Sequence, residues 1–111
     1  MIRECNYLMK RSKGLSYEQF TKNEDLTRAF VRSLEIIGEA CRQIPVGIRR
    51  KYPQVQWRSI VGIRNILIHE YFGVNYEIIF KTVKERIPEL GFVVKNILQE
   101  VEKRGDEQRT S

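Results

Sequence analysis

Three observations predict an all-α fold for this chain. Apolar residues recur at intervals of three and four over most of its length, and prolines and glycines fall between those periodic stretches. No segment reads as a half-buried strand, in which apolar and polar residues would alternate. With 111 residues the chain fits one domain, a core of modest size that a partner subunit would help to stabilise. We expect an antiparallel bundle of about four to five helices with short connections, occupying residues 1–104, followed by a polar tail over 105–111.

The elements follow in order. Residues 1–13 read as a short helix that ends at Gly14, and Ser16 with Gln19 three positions on has the pattern of a capping box. A long helix begins near Asn23, with Leu26, Ala29, Phe30, Ser33, Ile37, Ala40, Cys41 and Ile44 on one side, and Pro45 and Gly47 interrupt it. A short helical turn over IRRKY and a break at Pro53 lead to a third helix, from about Gln56 to Tyr71, with Gly73 as its terminator. Asn75 is placed to cap a fourth helix, and Pro88 to start the last one.

Composition narrows the class. Apolar residues make up 41% and charged residues 31%, which excludes a disordered polar chain, and no apolar run reaches the roughly 18 to 20 residues needed to span a bilayer. The start, MIRECNYLMKRSKG, lacks the apolar core of a secretory signal, so a cytoplasmic location is expected. Cys5 and Cys41 are far apart, and one histidine cannot complete a zinc set with them; no metal or cofactor is expected, and Cys41 reads as an inert core thiol. The net charge is +6. Between Ala40 and His69 there is no acidic residue, while Arg42, Arg49, Arg50, Lys51, Arg58 and Arg64 all fall there. Such a basic segment attracts polyanions such as RNA through phosphate contacts, which makes Arg42, Arg49, Arg50, Lys51 and Arg58 candidate RNA-binding residues.

The third helix carries the stretch RNILIHEY, residues 64–71, with the only histidine of the chain. At 100° per residue, positions 57, 60, 61, 64, 67, 68 and 71 share one sector about 120° wide, with Ile63 and Ile66 nearly opposite, so two flanks should be covered. Between them runs a polar strip of Arg58, Gly62, Asn65 and His69, the floor of a groove where Gly62 would permit close approach. His69 is a suitable general acid or base near neutrality, and Arg64 a suitable phosphate clamp. A cap or a snorkelling side chain is the plainer reading of each residue alone.

RNILIHEY carries the pattern Arg-x4-His-x-Tyr, and its surroundings extend it: GLSYEQF at 14–20, RSLEIIGEA at 32–40, KYPQVQWRSIVGIRN at 51–65 and HEYFGVNYEIIFKTVKERIPEL at 69–90. Together these resemble the HEPN superfamily, and within it the HepT-like toxins. The resemblance implies a homodimeric helical bundle with the motif helices at the subunit interface, and a metal-independent endoribonuclease acting on tRNA or mRNA. It implies that Arg64 holds the scissile phosphate, that Asn65 orients the site and that His69 moves the proton. It further implies a minimal nucleotidyltransferase as antitoxin, in a type VII-like pair, which silences the site by transferring AMP to Tyr71. A noncatalytic module that binds a nucleotide or that nucleotidyltransferase is the alternative. Only thirteen residues precede Gly14, so a shorter first helix than in that family is expected.

Overall fold

Three helix starts in this protein are set by side chains that cap them. Ser16 accepts the backbone N–H of Gln19 while Gln19 accepts that of Ser16, the reciprocal pair expected from the sequence, and this opens a helix immediately after the turn at Gly14, whose φ of +72° suits glycine. The Oδ1 of Asn23 accepts the N–H of Leu26, and that of Asn75 accepts the N–H of Ile78. In the computed structural model the backbone is described for residues 1–69 and 75–110, and side chains for 1–63 and 75–103.

The described residues form seven α-helices: α1 Ile2–Ser12, α2 Tyr17–Lys22, α3 Glu24–Arg42, α4 Val46–Arg49, α5 Trp57–His69, α6 Tyr76–Lys81 and α7 Ile87–Thr110, with a π-helical turn over Thr82–Arg86 between the last two. The described residues contain no strand, and the all-α bundle expected from the sequence is what forms. Four bodies are long: α1, α3, α5 and the rod made by α6, the π turn and α7.

Pro88 is the second residue of α7, close to the start expected of it, but no break precedes it. It sits inside that rod, where its ring should crowd the carbonyl four residues back. The preceding π turn accommodates it: the Ile87 N–H bonds the Thr82 carbonyl, five residues back rather than four, and the wider turn relieves the crowding. Nor do residues 105–110 form a tail. α7 continues through them, since Gly105 alone disfavours helix and Asp106 to Arg109 do not interrupt it.

Two glycines set the spacing of the long helices. A Cβ on Gly38 would lie 3.0 Å from the Ile60 carbonyl oxygen and 3.5 Å from Ile63 Cγ2, so α3 and α5 meet backbone to side-chain root. A Cβ on Gly91 would lie 3.0 Å from Met9 Cε and 3.5 Å from Cys5 Cβ, which seats α7 on α1. Phe20, Phe30 and Phe80 pack with centroids 5.1 and 5.5 Å from Phe20, and Tyr76 meets Phe20 edge-on at 6.3 Å. This aromatic cluster joins α2, α3 and α6. Lys84 donates to the Ser12 carbonyl at the end of α1 while its ammonium lies 5.6 Å from the Phe80 ring centroid.

The fold corrects one expectation about α5 and sharpens another. Ile63 is 3% exposed and belongs with Ile60 to the protomer's own core, whereas Val61 is only half-buried. The inward face is thus rotated toward Ile63 because Gly38 leaves a notch there. At Gly62 a built Cβ meets no neighbouring described atom within 4 Å, so the glycine at which another helix's backbone comes close is Gly38, and the space at Gly62 is left open to a ligand.

These opposite surroundings make a paired test. Gly38→Val should destabilise the fold by about 1 to 3 kcal/mol through overpacking against the Ile60 backbone. Gly62→Ala should be neutral or gain up to about 1 kcal/mol from helix propensity. Urea denaturation followed by circular dichroism measures both, and equal loss in the two variants would contradict the packing described.

Candidate functional site

The acid-free segment between α3 and α5 folds into one groove of about 600 Å³. Arg42 contributes from the end of α3, Arg49 and Arg50 from the end of α4, and Arg58 from α5. Four of the five candidate RNA-binding residues are therefore brought together. Lys51 is exposed but does not line the groove. Three other grooves of 400 to 470 Å³ each include two glutamates: Glu35 and Glu39, Glu24 and Glu35, and Glu85 and Glu89. Among the described residues, no carboxylate lines the arginine groove.

Hydrogen bonds brace its walls. Arg49 Nε donates to the Ile44 carbonyl at 3.0 Å, satisfying a carbonyl beyond the end of α3 and fixing the guanidinium at one nitrogen. The Tyr52 carbonyl accepts from the Val55 N–H at 3.2 Å and from the Trp57 indole N–H at 3.0 Å, so the irregular connection is tied to the first residue of α5. Tyr52 also donates its hydroxyl to Glu100 on α7 at 2.9 Å. A loop of this length would otherwise be a soft wall.

Apolar surface lies between the charges. Val46 is 50% exposed, and Pro53, Val55, Val61 and Gly62 complete the floor beside Trp57. Sequence reasoning missed this floor. Its one available signal was Val46, an apolar residue set between Pro45 and Gly47, outside any periodic stripe.

The motif continues along the same helix. α5 extends to His69, and its register puts positions 65 and 69 on the face of Arg58 and Gly62. The side chains of Arg64, Asn65 and His69 lie outside the described residues, as do Tyr71 and the terminator Gly73 altogether. On the far side the chain is fixed again at Asn75, by its cap and by Tyr76 in the aromatic cluster.

Both cysteines are fully buried and free. Burial pushes the Cys41 thiol up to about 12, with nearby Cys5 adding to the rise and Arg49 opposing it; burial likewise pushes Cys5 to about 11. Cys41 is the core thiol expected from its place in the α3 stripe.

Helical packing and an acid-free arginine groove define the class of protein; comparison with known proteins gives the family. The family model described as "Ribonuclease HepT-like" matches residues 1–97. A "Putative RNase" of Caldanaerobacter subterraneus is 56% identical over 99 residues, covering 89% of this chain and 88% of that protein. A "Putative RNase" of Methanocaldococcus jannaschii is 42% identical over 90 residues, covering 81% and 83%. A "Probable ribonuclease HepT" of Thermococcus cleftensis is 42% identical over 79 residues, covering 71% and 72%. No solved structure matches the chain. The chain belongs to the HepT-like ribonuclease family.

The thiols provide a check on the packing beneath the groove. At pH 8 in the native state, Cys5 and Cys41 should react with a disulfide reagent at least about a hundredfold more slowly than in denaturant, because little thiolate forms and neither sulfur is exposed. Rapid labelling of either one in the folded protein would show that this part of the core opens.

Proposed function

We propose that the protein is an endoribonuclease that works without a metal ion, cutting tRNA or mRNA in the cytoplasm as the toxin of a type VII-like toxin–antitoxin pair. One observation carries this reading. The Arg-x4-His motif stands on the helix whose described half forms a wall of the acid-free arginine groove. Membership of the HepT-like ribonuclease family and the names of the relatives support the reaction class.

In this reading Arg42, Arg49, Arg50 and Arg58 hold phosphates along the groove, with Lys51 adding charge outside it, and Arg64 clamps the scissile phosphate. The ribose 2′-oxygen attacks phosphorus and the 5′-oxygen leaves. His69 either takes the proton from the 2′-hydroxyl or gives one to the leaving oxygen, while Arg64 stabilises the added negative charge and Asn65 orients the reacting groups.

A homodimer would bring two motif helices together. The chain exposes 7830 Å², against about 6,400 Å² for a folded monomer of 13.2 kDa by surface scaling, so it carries surface that a second copy could cover. With one histidine per chain, acid and base would then come from opposite subunits. A minimal nucleotidyltransferase is the proposed antitoxin. The Tyr71 hydroxyl attacks the α-phosphate of ATP, pyrophosphate leaves, and the added AMP competes with RNA for the groove's positive charge.

Purified protein should cleave tRNA or mRNA in the presence of a chelator, and His69→Ala should lower the rate by about 10² to 10⁴. Equal RNA integrity with wild type and variant would sink the catalytic assignment. Co-expression with the partner nucleotidyltransferase should add AMP to the intact mass, and Tyr71→Phe should abolish the increment. An unchanged increment would move the acceptor elsewhere.

A further inference from the structure

The arginine groove presents two kinds of surface to one ligand, and few ligands can use both. Its lining is cationic at Arg42, Arg50 and Arg58 and apolar at Val46 and Val61, and it opens at Gly62, where a built Cβ would meet no neighbouring described atom within 4 Å. Val46 alone is 50% exposed, more than a residue in a packed wall would be. A volume of about 600 Å³ suits a small planar group with its attached phosphate.

Two occupants fit poorly. A second copy meeting this groove across a two-fold axis would set guanidiniums against guanidiniums, a like-charge juxtaposition that costs several kcal/mol. Duplex RNA presents phosphates and 2′-hydroxyls outward and keeps the faces of its bases stacked, so it could use the arginines but not the apolar surface. An unpaired strand offers both a phosphate and a free base face at every nucleotide.

We propose that this groove is a nucleotide subsite separate from the motif, in which an unpaired base lies on Val46, Val61 and the open backbone at Gly62 while its flanking phosphates meet Arg42, Arg50 and Arg58. Arg49 supports it: the bond from Nε to the Ile44 carbonyl holds a planar cation in the wall, against which a base can stack. The subsite rests on the reading of the protein as a ribonuclease and adds a selection to it. Gly62 and His69 are seven residues apart on one helical face, roughly 10 Å along the axis, so a strand seated in the groove runs on toward the motif. The protein therefore selects substrates with an unpaired stretch beside the cut.

The test uses the intact chain and fluorescent 2′-O-methyl oligoribonucleotides, which cannot supply the attacking hydroxyl. At near-physiological salt, an unpaired strand should bind at least about tenfold more tightly than a duplex of the same length. Gly62→Leu fills open space and the uncharged Val46→Ser alters an exposed side chain, so both should fold as judged by circular dichroism. Each should weaken unpaired-strand binding by about fivefold or more while leaving the weaker duplex binding unchanged. Arg50→Ala should weaken both ligands and reduce the salt dependence by about one phosphate contact. Equal affinity for duplex, or wild-type binding by both Gly62→Leu and Val46→Ser, would overturn the subsite. An acidic peptide displacing the unpaired strand as well as unlabelled RNA does would also overturn it, in favour of a protein ligand. If the subsite fails while cleavage still depends on His69, the ribonuclease reading stands; if unpaired strands bind through the groove and are never cut, that reading fails and the subsite stands.

Discussion

The close approach of α3 to α5 at Gly38 is the constraint from which the arrangement of the groove follows. Helices normally keep the distance their interface side chains impose, and with no side chain at Gly38 the Ile60 carbonyl comes within 3.0 Å of the position a Cβ would take. Ile60 and Ile63 then fill the space beside it and are 2% and 3% exposed. Once those two point inward, the helical period carries Arg58 and Gly62 to the outer side. Outward is where α4 and the irregular connection lie, so the close approach at Gly38 leaves Arg58 and Gly62 facing a groove.

That groove also depends on what the sequence leaves out. A single carboxylate beside Arg42, Arg50 or Arg58 would pair with a guanidinium and cancel much of its attraction for phosphate. The other three grooves contain such carboxylates, and along α3 the Arg32–Glu35 pair at 3.6 Å shows the kind of contact that results. Confining acidic residues to the stretches before Ala40 and after His69 keeps the positive potential in one place. Rigidity reinforces it. The Arg49 bond to Ile44 and the double use of the Tyr52 carbonyl fix the walls before any ligand arrives, so less ordering remains to oppose binding.

Local signals in the sequence were legible where one side chain determines one backbone event. Ser16, Asn23 and Asn75 each cap the helix expected of them, and Gly14 turns the chain where it should. Tertiary effects were not. Pro88 reads as a helix start because its own lost hydrogen bond is local knowledge, whereas the π turn that absorbs it depends on Lys84 and Val83 being held against α1 and the core. Gly38 and Gly62 look alike in the sequence, both glycines within apolar helices, and only the packing distinguishes a contact from an opening. The basic residues were legible as a group, yet Lys51 does not line the groove while its neighbour Arg50 does, a distinction that composition cannot make. The family pattern was legible over nearly the whole chain, in agreement with the match over residues 1–97.

Among the described residues, support for α5 comes from α3 and from a braced loop at its start, and this arrangement bears on how a site on it could work. A helix packed all round would bury Arg58 and Gly62 and leave no access for a polymer. A helix held only at one end would leave the motif poorly placed, and misplacement of about 1 Å can cost roughly a hundredfold in rate. Here the N-terminal half is locked by Gly38, Ile60 and Trp57, while on the far side of the motif the chain is locked again by Asn75 and Tyr76. Under the proposed function, a second subunit against the remaining open flank would complete the support and contribute the second histidine, while the groove, carrying like charges, would stay outside that contact. On that proposal, separating the two surfaces on one helix would let the same face of α5 hold the strand near its start and cut it near its end.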